Sequence, residues 1–165
     1  SSAIHIGGGM RHKTSLREPN ILMGLACVLL AVALSGCTNI RLIADYDDQI
    51  DKSVTELQRK CETFLTGLER NAGQPEAQYG ANAKFYDEAK VDLSAIRMRA
   101  AAIPKNDITL KQLDLLADNL DNLEKLHKIG LPREQIKPLR SAFNTGFTAI
   151  LKLELAKKRG ESPVK

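Results

Sequence analysis

The 165-residue sequence has no tryptophan, and aromatic residues make up only 4% of it. Stacking platforms of the kind that bind single-stranded nucleic acid are therefore scarce. No apolar run reaches the roughly 20 residues that a helix needs to cross the hydrocarbon core of a bilayer. Strand-type alternation, internal repeats and low-complexity tracts are missing as well. Downstream of Cys37 there is neither a glycine-flanked serine nucleophile nor a phosphate-cradling glycine loop. The chain carries only three cysteines and three histidines.

The most distinctive segment is ILMGLACVLLAVALSGC, Ile21 to Cys37. Its apolar part, Ile21 to Leu34, is too short to span a membrane. Arg11, His12, Lys13 and Arg17 precede it, with Glu18 as the one acid, and Pro19 and Asn20 separate the basic head from the apolar run. A basic head, a short apolar middle and a small-residue end form an export signal. The leading residues SSAIHIGGG contain no methionine, so translation is expected to start at Met10, upstream of all these basic residues.

The run ends on Leu34, Ser35, Gly36 and Cys37, which resembles the lipobox of bacterial lipoprotein precursors. The resemblance covers residues 1–37 only. It implies that the Cys37 sulfur receives a diacylglyceryl group and that a dedicated peptidase cuts between Gly36 and Cys37. The freed amine would then be acylated, commonly with palmitate. Small residues beside the thiol let such a peptidase grip extended backbone next to a bulky lipid. In enteric members of that family an aspartate after the cysteine retains the protein in the inner membrane. Thr38 stands there in this chain, which implies the outer membrane, periplasmic face.

Cleavage before Cys37 leaves 129 residues, enough for one domain with one core. The 24 basic and 20 acidic residues of the whole chain become 21 and 19. A near-neutral domain without a basic stripe is not expected to bind nucleic acid. Cys27 leaves with the signal and Cys37 carries lipid, so Cys61 is left without an intrachain disulfide partner. The expected organisation is a signal peptide over 1–36, an anchored linker over 37–42, a helical domain over 43–159 and a frayed tail over 160–165.

Apolar residues recur by threes and fours at Ile43, Tyr46, Ile50, Val54, Leu57, Cys61, Phe64 and Leu68, one face of a long amphipathic helix ended by Gly73 and Pro75. Cys61 lies in that stripe and reads as a small core hydrophobe. Phe85, Ala89, Leu93, Ile96, Ala100 and Ile103 form a second stripe, stopped by Pro104. Thr109 and Gln112 have the spacing of a capping box, followed by Leu113, Leu116, Leu120, Leu123 and His127, with Gly130 as the stop. Pro132 opens a fourth segment and Pro138 is expected to restart it, because proline suits only a first helical turn. Ile136, Leu139, Phe143, Phe147, Ile150 and Leu153 continue the pattern. Short loops between such helices predict an all-α, up-down-up-down four-helix bundle.

Antiparallel pairing of the first and fourth helices would bring Asp45, Asp47, Asp48 and Asp51 near Lys152, Lys157, Lys158 and Arg159. Leu151 and Leu155 would close the bundle there. The four aspartates otherwise read as a solvated face that complements a positive helix end, since a calcium loop needs alternating ligands around a glycine turn. Glu124 and His127 form one Glu-x-x-His unit, but a di-iron site needs two. His127 is the one histidine after Cys37, so it reads as a hydrogen-bonded core residue. No catalytic set and no metal or organic cofactor is expected; the one prosthetic group is the lipid on Cys37.

A tether of five residues, Thr38 to Leu42, reaches roughly 15 to 18 Å and keeps the bundle close to the membrane. The near end would hold the start of the first helix, the Pro104 to Thr109 loop and the C-terminus. The Gly73 to Glu76 and Gly130 to Arg133 turns would form the far end. The function expected of this arrangement is a lipid-anchored periplasmic module that binds or scaffolds another cell-envelope protein. The alternative is a carrier holding a small apolar ligand in a cavity between the helices.

Overall fold

The computed structural model describes Ser2 and residues 43–161, apart from the side chain of Glu161. Apart from Ser2, the expected signal peptide, lipobox and anchored linker, including Leu34, Ser35, Gly36 and Cys37, lie outside the described residues. So does most of the expected tail.

Four helices follow one another: α1 (Asp48–Arg70), α2 (Tyr79–Ala101), α3 (Asp107–Ile129) and α4 (Arg133–Glu161), with a single 3-10 turn at Pro75–Ala77 between the first two. Each helix packs on its neighbour in the chain, and α1 also packs on α4. The fold is the up-down-up-down four-helix bundle that the short loops imply. A 23-residue helix is about 35 Å long at 1.5 Å per residue, which sets the distance between the two ends.

The termini of the helices depart from the simple stripe reading. Asp47 is extended (φ −126°, ψ 113°) and its carboxylate accepts the Ile50 N–H at 2.9 Å. This cap starts α1 at Asp48, so Ile43 and Tyr46 precede the helix rather than belong to its face. A carboxylate that satisfies a free amide at a positive helix end outweighs two more residues of apolar spacing. Similarly, α3 starts at Asp107 with Asn106 before it, so the expected capping box at Thr109 and Gln112 does not form. Thr109 lies inside the first turn, fully buried.

Gly130, at φ 101°, ends α3 as its sequence position implies, donating its N–H to the His127 carbonyl. Pro138 does not restart α4; the helix runs through it. The proline removes the hydrogen bond to Glu134, but both residues are exposed near the helix start, where water reaches the freed carbonyl. At its other end α4 continues past Arg159 to Glu161.

One core runs the length of the bundle and includes Ile50, Val54, Leu57 and Cys61 of α1, Leu93 and Ile96 of α2, Leu113, Leu116, Leu120 and Leu123 of α3, and Phe143, Phe147 and Ile150 of α4. Three positions are shifted by one residue from the expected stripes, one of them on α4, where Glu154 and not Leu153 is buried. Leu65 and Tyr86 are buried, whereas Phe64 and Phe85 are partly covered and stack on each other with centroids 3.7 Å apart. Either choice preserves spacings of three and four, so packing between α1 and α2 decides which residue turns inward.

Candidate functional site

The far end is built on an aromatic and polar cluster at the α1–α2 and α3–α4 turns. His127 reaches it from the last turn of α3: its Nε2 lies 2.7 Å from the Ala77 carbonyl oxygen and its Nδ1 2.7 Å from the Tyr86 hydroxyl. A carbonyl can only accept, so Nε2 carries the hydrogen and donates it, leaving Nδ1 to accept from Tyr86. The imidazole thereby ties the 3-10 turn to α3 and orients Tyr86 from α2. Burial pushes the Tyr86 phenol well above its usual range. His127 is the hydrogen-bonded core residue that its place in the stripe implied.

Glu124, one turn earlier, has different partners. Its Oε1 accepts from Tyr79 Oη at 2.8 Å and lies 2.9 Å from Lys128 Nζ, and its Oε2 accepts from Lys90 Nζ at 2.6 Å. The Lys90 and Lys128 hydrogen bonds hold its carboxyl down at about 2 against burial. Glu124 and His127 thus share a helix face and both tie α3 to α2, with His127 also holding the 3-10 turn. Among the described residues no group of three His, Cys, Asp or Glu side chains gathers to hold a metal.

Above this cluster lies an open cleft of about 580 Å³, between the Gly73–Tyr79 connection and the His127–Leu131 turn. Leu68, Leu131 and Ile136 line its apolar part, and Gln74, Gln78 and Lys128 its polar part. Gly73 and Gly130, with φ of 84° and 101°, shape the two turns. That left-handed conformation is costly for any residue with a Cβ.

The near end has a buried polar cluster instead. Lys157 Nζ donates to Glu154 Oε1 at 2.6 Å, to Asn106 Oδ1 at 2.7 Å and to Thr109 Oγ1 at 2.8 Å, which uses all three of its protons. Thr109 in turn donates to Glu154 Oε1 at 3.3 Å, and Asn106 Nδ2 donates to the Ala100 carbonyl. Glu154 Oε2 is buried without a hydrogen-bond partner. The sequence signal for this cluster is the continuation of the α4 stripe, Phe147, Ile150, Glu154, Lys157, by two polar residues at core spacing.

Three of the four aspartates at the chain's entry to α1 have partners other than the expected basic residues of α4. Asp47 pairs bidentately with Arg99 of α2 at 2.8 Å, Asp48 with Lys52 of its own helix, and Asp51 accepts from Tyr46 Oη. Lys158 sits over the Tyr46 ring, 5.3 Å from its centroid. Lys157 turns inward because the buried carboxylate of Glu154 holds it there. Leu151 packs against the core while Leu155 stays about half exposed, so the ion pair closes this end where the two leucines were expected to.

The entry segment is pinned to the same end. The Ala44 N–H donates to the Lys105 carbonyl at 3.1 Å, and Lys105 adopts φ 62° to present it. Cys61 is buried in the α1 stripe, and desolvation raises its thiol to about 12, far from a reactive thiolate. Among the described residues no helix is long and apolar enough to cross a membrane. No protein-family model, curated protein or solved structure matches the chain.

Proposed function

We propose that this chain is a lipid-anchored helical module of the bacterial cell envelope, held by Cys37 in the outer membrane and facing the periplasm, which binds another envelope protein at its far end. The single observation that supports the reading is polarity of the bundle. The chain enters at the end where Ala44 binds Lys105, while the open cleft lies at the opposite end, beside Gln74 and Leu131. Anchoring at one end and recognition at the other leaves the cleft clear of the lipid surface. Confinement to one membrane raises the effective concentration for a partner in the same envelope.

A carrier of small apolar ligands is the weaker alternative. Its cavity would lie between the helices, where Leu57, Cys61, Leu93, Leu116 and Phe147 fill the core. A photoreactive side chain at Gln74 tests the binding reading in intact cells. A specific adduct to an envelope protein, lost when Leu131 in the cleft is replaced by aspartate, is the expected result. A probe at Gln74 that captures nothing, or captures the same proteins with Leu131→Asp, would refute it.

A further inference from the structure

The two ends of the bundle differ in what they expose. Among the described residues seven large apolar side chains are exposed, and four of them gather at the near end. Ile43 lies before α1, Met98 in the last turn of α2, Ile108 in the first turn of α3 and Leu155 near the end of α4. They are 38%, 73%, 52% and 47% exposed, whereas the far end shows Ile129 alone. Bonds made by their immediate neighbours hold the four in one band: Ala44 to Lys105, Arg99 to Asp47, and Thr109 to Glu154. Single exposed apolar residues are ordinary on protein surfaces. One from every segment that meets at the same end makes a rim.

We infer that this rim is where the bundle rests on a phospholipid surface, with its near end among the headgroups. The path of the chain and the charge of this end both name lipid as the occupant. Ile43 follows Cys37 by six residues, a reach of roughly 20 Å, against about 35 Å for a 23-residue helix. A membrane that holds Cys37 therefore lies within contact of this end and out of reach of the far one. Lys105 on the α2–α3 loop, and Lys158 and Arg159 beyond Leu155, are exposed here, placed for anionic headgroups. Of the acids at the same end, Asp47 is taken up by Arg99 and Asp48 by Lys52, and Asp45 and Asp107 are the other exposed ones. Long basic side chains lay their stems on apolar surface and send their heads to phosphate. Interfacial binding draws on buried apolar area together with attraction to anionic lipid.

The nearness of the membrane rests on the lipid-anchored reading, but the rim adds what a tether alone does not, a fixed orientation. A bundle on a loose tether turns freely. One seated on side chains from four segments stands upright, with the cleft beside Gln74 and Leu131 directed away from the bilayer.

The test is fluorescence quenching of the full-length protein in vesicles of phosphatidylethanolamine and phosphatidylglycerol, some of whose headgroups carry a nitroxide, with Cys61→Ala as background. A fluorophore on Ala102→Cys, exposed at the near end, should be quenched, and one on Ile129→Cys at the far end should not. Adding Ile108→Glu and Leu155→Glu, both on the surface, should reduce the near-end quenching severalfold while the protein stays on the vesicles, which separates docking from tethering. Equal quenching of the two labels, or near-end quenching that the two glutamates leave unchanged, would overturn the docking. The intact mass of the same samples reports the lipid on Cys37. An unmodified Cys37 refutes the anchor, and the contrast between the two labels still decides the docking.

Discussion

Lys157 Nζ lies 2.6 Å from Glu154 Oε1, with the two side chains 2% and 0% exposed. An ion pair of this kind is formed at the expense of two desolvated charges, and its net contribution to stability is small or negative against an apolar replacement. Its consequence is selectivity: Lys157 also binds Asn106 and Thr109, and those contacts exist only when α4 is seated in one register against α3.

Breaking that pair on one side should therefore cost far more than removing it. Lys157→Met leaves a buried carboxylate and is expected to destabilise the bundle by about 3–5 kcal/mol. The double variant Lys157→Met with Glu154→Leu should recover most of the loss. Urea unfolding of the three proteins measures this, and a double variant no more stable than Lys157→Met would contradict it.

Acid should weaken the far end through Glu124. Its carboxyl is depressed from the ordinary 4.5 to about 2, chiefly by the Lys90 hydrogen bond and then by that of Lys128. The folded state therefore binds the proton less readily than the unfolded chain does. The stabilisation is present above pH 4.5 and is lost as pH falls toward 2. Glu124→Gln should flatten the stability profile across that interval, and an unchanged slope would remove Glu124 from the explanation.

Phe143 is 2% exposed in the middle of the α4 stripe. Phe143→Ala should cost about 3–5 kcal/mol, whereas Lys152→Ala on the exposed side of the same helix should change stability by no more than about 0.5 kcal/mol. Thermal unfolding that cannot tell the two variants apart would place the α4 core face wrongly.

Cys37→Ala should leave an uncut, unlipidated precursor, since the proposed cleavage requires the lipidated thiol. Mass spectrometry of the wild-type amino terminus supplies the comparison. Cleavage at any bond other than Gly36–Cys37 would refute the lipobox assignment.

Much of the bundle was legible because helical periodicity is a local property. Leu113, Leu116, Leu120, Leu123 and His127 repeat by threes and fours, and all five are buried in α3. Gly130 marks the end of that helix because a left-handed residue there favours glycine. His127 could be assigned to the core from its place in the stripe, although its partners Tyr86 and Ala77, 41 and 50 residues away, could not be named.

Long-range choices were not legible. Leu65 rather than Phe64, and Tyr86 rather than Phe85, face the core, since both registers satisfy the same spacing and only the facing helix distinguishes them. Asp47, Asp48 and Asp51 find Arg99, Lys52 and Tyr46 as partners, and Lys158 of α4 reaches the Tyr46 ring instead of a carboxylate. Four helices, their order, their short turns and hence their up-down path all follow from local spacing and breaker residues. Tertiary packing alone settles that Glu154 and Lys157 lie inside and that, among the described residues, no ion pair crosses between α3 and α4. Burial of a charge, and the absence of a bridge, depend on what the neighbouring helix presents across the gap.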